Sequence, residues 1–414
     1  MQLISNLSPT EHRFDDGGVV FGFRSDSLDI CRLVLSFEAG SFFQSQPLEA
    51  DAASRLFSEG TMQRSPQQVA EFLDYRGIII EKSKDTYSAD ISVYMLRKYA
   101  DEMLPMLHEM LTQPLFGEQE FEVYKGALRQ KIETQVRKTS SMAYRMFYEA
   151  VYGKDHRLTR FAVPADVDRL SLDSIRDFFH QHYRLSDAQI VLAGGYDDAL
   201  AARCHELFGG RTIDADSLIR CEQPPQHSDQ REYHHHMDSA QTTLRIGRRL
   251  PLRWDDMDYV RFMVLNTMLG GYFGSRLMSN IREDKGYTYG VYSATALSRD
   301  DIKFFITMDV GNEVARQAAE EAYREIERLQ QDKVTAEELD MVRRYMEGDF
   351  IRTVDGVFER AERFMQMRIE GISEHFTDNY FEAIRTTTPD DIQRLAQTYL
   401  RKEDLKEIIV GAGV

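Results

Sequence analysis

Two side chains near the middle of the C-terminal half have the types and separation to handle a developing negative charge. Arg282 carries a guanidinium and Tyr289 a phenol, both within LGGYFGSRLMSNIREDKGYTYGVYS, which runs from Leu269 to Ser293. Converging on one cleft, they would make two preorganised donors for an oxyanion. The surrounding residues supply the elements needed to hold them. Gly270-Gly271 lets the backbone turn tightly into a helix over SRLMSNIRE, and the Lys-Gly of REDKG stops that helix before the alternating strand YTYGVYSA. Arg282 then sits near a helix end and Tyr289 at a strand start.

This stretch resembles the segment of the pitrilysin/insulinase family of zinc peptidases in which a glycine cluster precedes Ser-Arg-Leu, then Arg-Glu-x-x-Gly, then a strand Tyr. The matching residues are Gly270, Gly271, Ser275, Arg276, Leu277, Arg282, Glu283, Gly286 and Tyr289. The resemblance implies that Arg282 and Tyr289 are catalytic in concert with a partner chain. With Gly270 and Gly271, they would bind the scissile region of the substrate in the half of the enzyme that holds no zinc.

The family's other hallmark is an inverted zinc motif, H-x-x-E-H on a helix, with a glutamate on a second helix as third ligand. It should end just before a Gly-Thr pair. Gly60-Thr61 is present, yet the motif positions read Asp51, Ser54 and Arg55. The third-ligand position falls on Lys131 in FEVYKGALRQKIE, with Gln130 or Glu133 as alternative registers. Zinc needs neutral imidazoles and carboxylates, whereas Arg55 and Lys131 would put two fixed positive charges where the cation belongs. No metal ligand set is therefore assigned to this chain. Asp51 and Arg55 stand at i and i+4 on one helix, which predicts an ion-pair cluster with Asp51 between Arg55 and Lys131.

Other histidines do not restore a motif. Glu11-His12 and Glu374-His375 lack the first histidine, having Ser8 and Gly371 there. His108-Glu109 and His205-Glu206 lead to Thr112 and Gly209 where H-E-x-x-H needs a second histidine. In the strand-like REYHHHM, side chains of His234, His235 and His236 alternate faces, so at most two converge.

The 414 residues, 42% hydrophobic and 29% charged, fit a soluble globular protein of two domains of about 200 residues. No apolar run approaches the ~18 residues of a membrane span, and MQLISNLSPTEHRF has neither the basic nor the apolar region of a signal peptide. Cys31, Cys204 and Cys221 form no C-x-x-C, which suits a reducing cytoplasm. A net charge of −17 argues against nucleic acid as a partner.

The chain also repeats itself. FGEQEFEVYKGALRQ aligns with VTAEELDMVRRYMEG, Phe121 on Leu339, while Ile175 meets Ile392 and Gly194 meets Gly411. Nearly constant offsets imply a duplicated domain. Long hairpin strands followed by helices predict an α+β fold, each copy a mainly antiparallel sheet with helices on one face. The boundaries are 1–209 for a first domain with a vacant zinc site, 210–231 for a linker around Pro224-Pro225, and 232–414 for a second domain carrying the Arg/Tyr motif. By the same offset, the helix holding Asp51 to Arg55 corresponds to the glycine cluster near Gly270.

The resemblance implies the non-catalytic subunit of a two-chain zinc peptidase, half of a clamshell chamber. Zinc would lie in a homologous partner chain, with an unfolded peptide as substrate; a homodimer of the isolated chain is the other pairing left open. A peptide-binding scaffold without proteolysis, and an enzyme of different chemistry in the same cleft, are the alternatives.

Overall fold

A computed structural model of the protein describes residues 8–211, 217–220, 231–236, 238–299, 301–373 and 375–412. Most of the expected linker, with Pro224-Pro225 and Cys221, lies outside the described residues, as does Glu374.

The described residues form two sheets. The first has six strands: β1 (Thr10–Arg13), β2 (Val19–Arg24), β3 (Ile30–Phe37), β4 (Ile79–Lys84), β5 (Ala89–Leu96) and β6 (Gln189–Gly194), in the order β1-β2-β6-β3-β5-β4. The second has five: β7 (Arg231–His235), β8 (Thr242–Leu250), β9 (Thr288–Ser298), β10 (Asp301–Val310) and β11 (Lys406–Gly411), in the order β7-β11-β8-β10-β9. The shared pattern bears out the expected duplication. β2 with β6 and β7 with β11 are the parallel pairs, and the remaining pairings are antiparallel. Helices recur in step: Thr139–Tyr152 and Val357–Glu370 have 14 residues each, while Leu172–His182 and Pro389–Tyr399 have 11 each.

The two compact units do not coincide with the two sequence copies. One unit comprises 1–133, 162–218 and 353–371; the other comprises 134–161, 219–352 and 372–414. Each copy thus lends one helix to the sheet of the other, so each core draws on residues from both of the linear ranges 1–209 and 232–414. In the first unit the period-two alternation of β-strands separates two faces. Cys31, Leu33, Leu35, Ile190 and Leu192 share the face nearest the chain's own helices, where burial and the charge of Cys31 raise the Cys204 thiol pKa above the usual range. Val19, Phe21, Phe23, Val34, Val191 and Ala193 share the opposite face and pack on Ala361, Phe364 and Met365 of the lent helix Val357–Glu370. The spacing i, i+3, i+4 of those three residues is one apolar stripe. Because both faces are covered, β2, β3 and β6 are buried almost end to end.

The second unit receives Thr139–Tyr152 in the same way. Ala143, Phe147, Ala150 and Val151 of that helix pack on Ile408 and Val410 of β11. Its last residue, Tyr152, donates a hydrogen bond to Asp301, which also accepts from Arg249 and, at 3.0 Å, from Lys303. Burial pushes the Asp301 carboxyl up, but Lys303, Tyr152 and Arg249 outweigh it and hold the pKa below the usual range. Arg245 lies over the rings of Tyr144, Phe147 and Phe305, completing the anchorage with cation–π contacts.

Candidate functional site

The helix Glu49–Leu56 carries the vacant zinc positions, and its start is set by Glu49. That buried carboxylate accepts from the Ser45 and Gln46 backbone N–H groups at 2.9 and 3.1 Å. The end is closed at Gly60, whose φ of +95° favours glycine, while Thr61 donates to Glu109, which also pairs with Arg64. Between these fixtures Asp51, Ser54 and Arg55 share a helix face, and Tyr124, Leu128 and Lys131 share a face of Glu118–Gln135. Together with Ile80, Lys82 and Lys84 of β4 they line a cavity of about 480 Å³. Of the three alternative registers, Lys131 lines this cavity and Gln130 and Glu133 do not.

The expected cluster centred on Asp51 is not formed. Asp51 accepts a 2.7 Å hydrogen bond from Tyr124, Arg55 turns to Glu59 at 3.3 Å, and Lys131 forms no ion pair among the described residues. A neutral phenol from the facing helix satisfies the carboxylate, and Arg55, 59% exposed, finds an acid one turn further along. Burial, then the charge of Asp51, raise the Tyr124 pKa beyond the usual tyrosine range. Burial, then the Arg55 guanidinium, pull the Lys82 ammonium down to about 8. Lys82 donates to the Arg55 carbonyl at 3.0 Å and the Ser58 hydroxyl at 2.6 Å. Four cationic side chains and one carboxylate cannot make a zinc site. Among the described residues no group of three or more His, Cys, Asp or Glu could hold a metal ion. His234 and His235 are exposed, and His236 shares a 3.0 Å hydrogen bond with the Arg137 carbonyl.

The Arg/Tyr motif lies in the second unit. The glycine pair closes a π-helical turn, Thr267–Gly271, instead of forming the turn itself, which follows at Tyr272 to Ser275. Gly270 is required by proximity to β9. A Cβ there would meet the Ser293 nitrogen at 2.6 Å and Leu277 at 2.9 Å. The helix bearing Arg282, Met278–Asp284, is also wound wide, with the Lys285 N–H bonded to the Asn280 carbonyl at 3.0 Å. Gly286 ends it with φ +67°, as the sequence implied. Arg276, part of the matching motif, is committed to a double hydrogen bond with Glu338 at 2.7 and 2.8 Å.

Arg282 lies 4.7 Å from the ring centre of Phe273, which is itself 64% exposed. Tyr289 stands 94% exposed at the start of β9, an edge strand. Thr288 pairs with Val310 and Val291 with Met308, so Tyr289 and Gly290 together face Asp309 in a β-bulge. Thr288 locks it, its hydroxyl donating to the Asp309 carbonyl at 2.6 Å. No hydrogen bond or ring contact joins Arg282 to Tyr289 among the described residues. Sequence reasoning missed Phe273, Thr288, Tyr124, Lys82 and Lys84. Of these, Ile80-x-Lys82-x-Lys84 carried a readable signal, the period-two spacing of one strand face.

A profile described as "Peptidase M16 inactive domain" matches residues 169–346, the span that includes both π-helical turns and the bulge. Another, "Insulinase (Peptidase family M16)", matches residues 22–162, the span of the cationic cavity. The chain belongs to the insulinase family of peptidases. Among its relatives, an "uncharacterized zinc protease YmxG" of Bacillus subtilis is 24% identical over 314 residues, covering 74% of this chain and 75% of that protein. A "non-peptidase homolog YmxG" of Helicobacter pylori is 21% identical, covering 86% and 83%. The fold of this insulinase-family chain matches a solved "peptidase M16 inactive domain" from Pseudomonas fluorescens with a TM-score of 0.85, 21% identity and 98% coverage of both chains. It matches a "protease from Helicobacter pylori" equally well, with a TM-score of 0.85 and 16% identity over 98% of this chain and 100% of that one.

Proposed function

We propose that this chain is the non-catalytic subunit of a heterodimeric zinc metallopeptidase of the cytoplasm, acting with a homologous chain that carries H-x-x-E-H. The observation that carries this reading is a division of chemistry. The zinc positions are filled by Asp51, Ser54, Arg55 and Lys131, while Arg282 and Tyr289 have no acidic partner among the described residues, Tyr289 standing on the edge strand β9. An extended, unfolded peptide can add to such an edge through its backbone. Arg282 and Tyr289 would then donate to the peptide carbonyl as charge develops on it, with Phe273 steadying the guanidinium and Thr288 the bulge. Hydrolytic water activation would come from zinc in the partner.

Reconstitution with the H-x-x-E-H chain tests this. The isolated chain should contain no zinc by elemental analysis and cleave no peptide. In the mixed complex, Arg282→Ala or Tyr289→Phe should lower turnover about 10²–10³-fold, the usual cost of one oxyanion donor, with assembly unchanged by size-exclusion chromatography. Unchanged turnover in both variants would favour a peptide-binding scaffold. The separation of Arg282 from Tyr289 and the name of the Helicobacter relative are compatible with that second reading.

A further inference from the structure

We infer that the cavity at the former zinc position is a binding site for a peptide carboxylate, either a free C-terminus or an Asp or Glu side chain. Four cations converge on it, Arg55, Lys82, Lys84 and Lys131, against the single carboxylate of Asp51. The excess stands with the Asp51 charge counted. Asp51 accepts from the Tyr124 phenol and forms no ion pair with a lysine among the described residues. Arg55 has Glu59, but the ammonium groups of Lys84 and Lys131 form neither a hydrogen bond nor an ion pair among the described residues. A cavity of about 480 Å³ with two unpartnered ammonium groups is complementary to an anion.

The surroundings favour a peptide over a bare inorganic anion. Ile80, Lys82 and Lys84 belong to β4, the last strand of the first sheet, whose outer edge pairs with no further strand among the described residues. An extended chain laid along that edge would bring a terminal or side-chain carboxylate to the lysines. Ile80, Ala127 and Leu128 give the cavity an apolar wall that a peptide side chain can cover and phosphate cannot. With Arg55 in place of one imidazole and Lys131 in place of the third-ligand glutamate, and only Asp51 acidic among the motif positions, a cation site becomes an anion site on the same two helices. The inference uses residues of the first unit alone, so its failure and the failure of the Arg282/Tyr289 reading are distinguishable.

The test is fluorescence anisotropy on the full chain at about 50 mM salt, where surface charges are weakly screened. The probe is a labelled extended peptide ending in two glutamates with a free C-terminus; the control replaces them with glutamines and a C-terminal amide. The acidic peptide should bind and the control should not. Lys84→Glu or Lys131→Glu should weaken binding about tenfold or more, and Asp51→Asn should tighten it, as loss or gain of charge complementarity requires. Circular dichroism checks the fold, and Lys84→Gln with Lys131→Gln replaces the reversals should either misfold. Equal binding of the amide control, indifference to both lysine substitutions, or absence of binding up to roughly 1 mM peptide would overturn the inference. Full displacement by inorganic phosphate at a lower concentration than by free glutamate would also overturn it, by making the cavity a phosphate site.

Discussion

The Lys82 ammonium shares its cavity with the Arg55 guanidinium and is largely out of water, which lowers its pKa to about 8. Protons leave it well before they leave an ordinary lysine at about 10.4. Acylation by an amine-directed reagent should therefore reach half its limiting rate near pH 8 at Lys82, read by mass spectrometry of the peptide that carries it. A half-maximal rate near pH ~10.4 would refute the assignment. The linkage has a definite sign: folding lowers this pKa, so the unfolded chain binds more protons between about pH 8 and 10.4, and stability from this group rises across that interval. At this scale the sequence was informative where a motif fixed the spacing. H-x-x-E-H dictates one helical face, so Asp51, Ser54 and Arg55 could be placed together from positions alone. Tyr124 and Lys82 reach the same cavity from other elements, and no local spacing encodes which side chain of a facing helix satisfies a carboxylate. The expected Asp51–Arg55 pair failed for that reason.

Among the elements, the helix Thr139–Tyr152 is tied to its sheet by a buried charge cluster. Asp301→Asn leaves Lys303, whose side chain is 5% exposed, without its carboxylate, and should cost about 3–5 kcal/mol in urea-induced unfolding, the usual effect of breaking a buried ion pair. A loss below 1 kcal/mol would show that Tyr152 and the aromatic contacts suffice. Because Asp301 is held below the usual carboxylate range, its contribution should persist above that range and disappear as acid takes the pH below it. Gly270→Ala tests the other element-scale contact. The added Cβ meets backbone at 2.6 Å, so β9 or the π-helical turn must shift, at about 1–3 kcal/mol. Thermal unfolding of the variant at an unchanged midpoint would mean that the turn yields freely. Helix, glycine and strand were each legible in order. The wide winding was not, because nothing in the residue types of Thr267–Gly271 or Met278–Asp284 separates a π-helical turn from an α-helical one.

For the molecule as a whole, repeat lengths were legible because corresponding helices and strands keep nearly identical lengths at an offset of 217 or 218 positions. The exchange of helices was not. An apolar stripe such as Ala361, Phe364, Met365 states that one face is buried but not against which sheet. Chains cut at the repeat boundary, 1–209 and 232–414, should each lack one helix of their core and remain poorly folded alone, yet fold when co-expressed, as judged by co-purification and near-ultraviolet circular dichroism. Independent folding of both pieces would refute the exchange. During synthesis the same arrangement imposes an order of events. By the time Gly194 has left the ribosome every described strand of the first sheet exists, but Val19, Phe21 and Phe23 have no cover until Val357–Glu370 is made, 176 residues later at Glu370. At the ~5–20 residues per second of translation, that surface stays open for roughly ten to thirty seconds, long enough for a chaperone to engage it. The nascent chain therefore closes its first core only while its second repeat is being made.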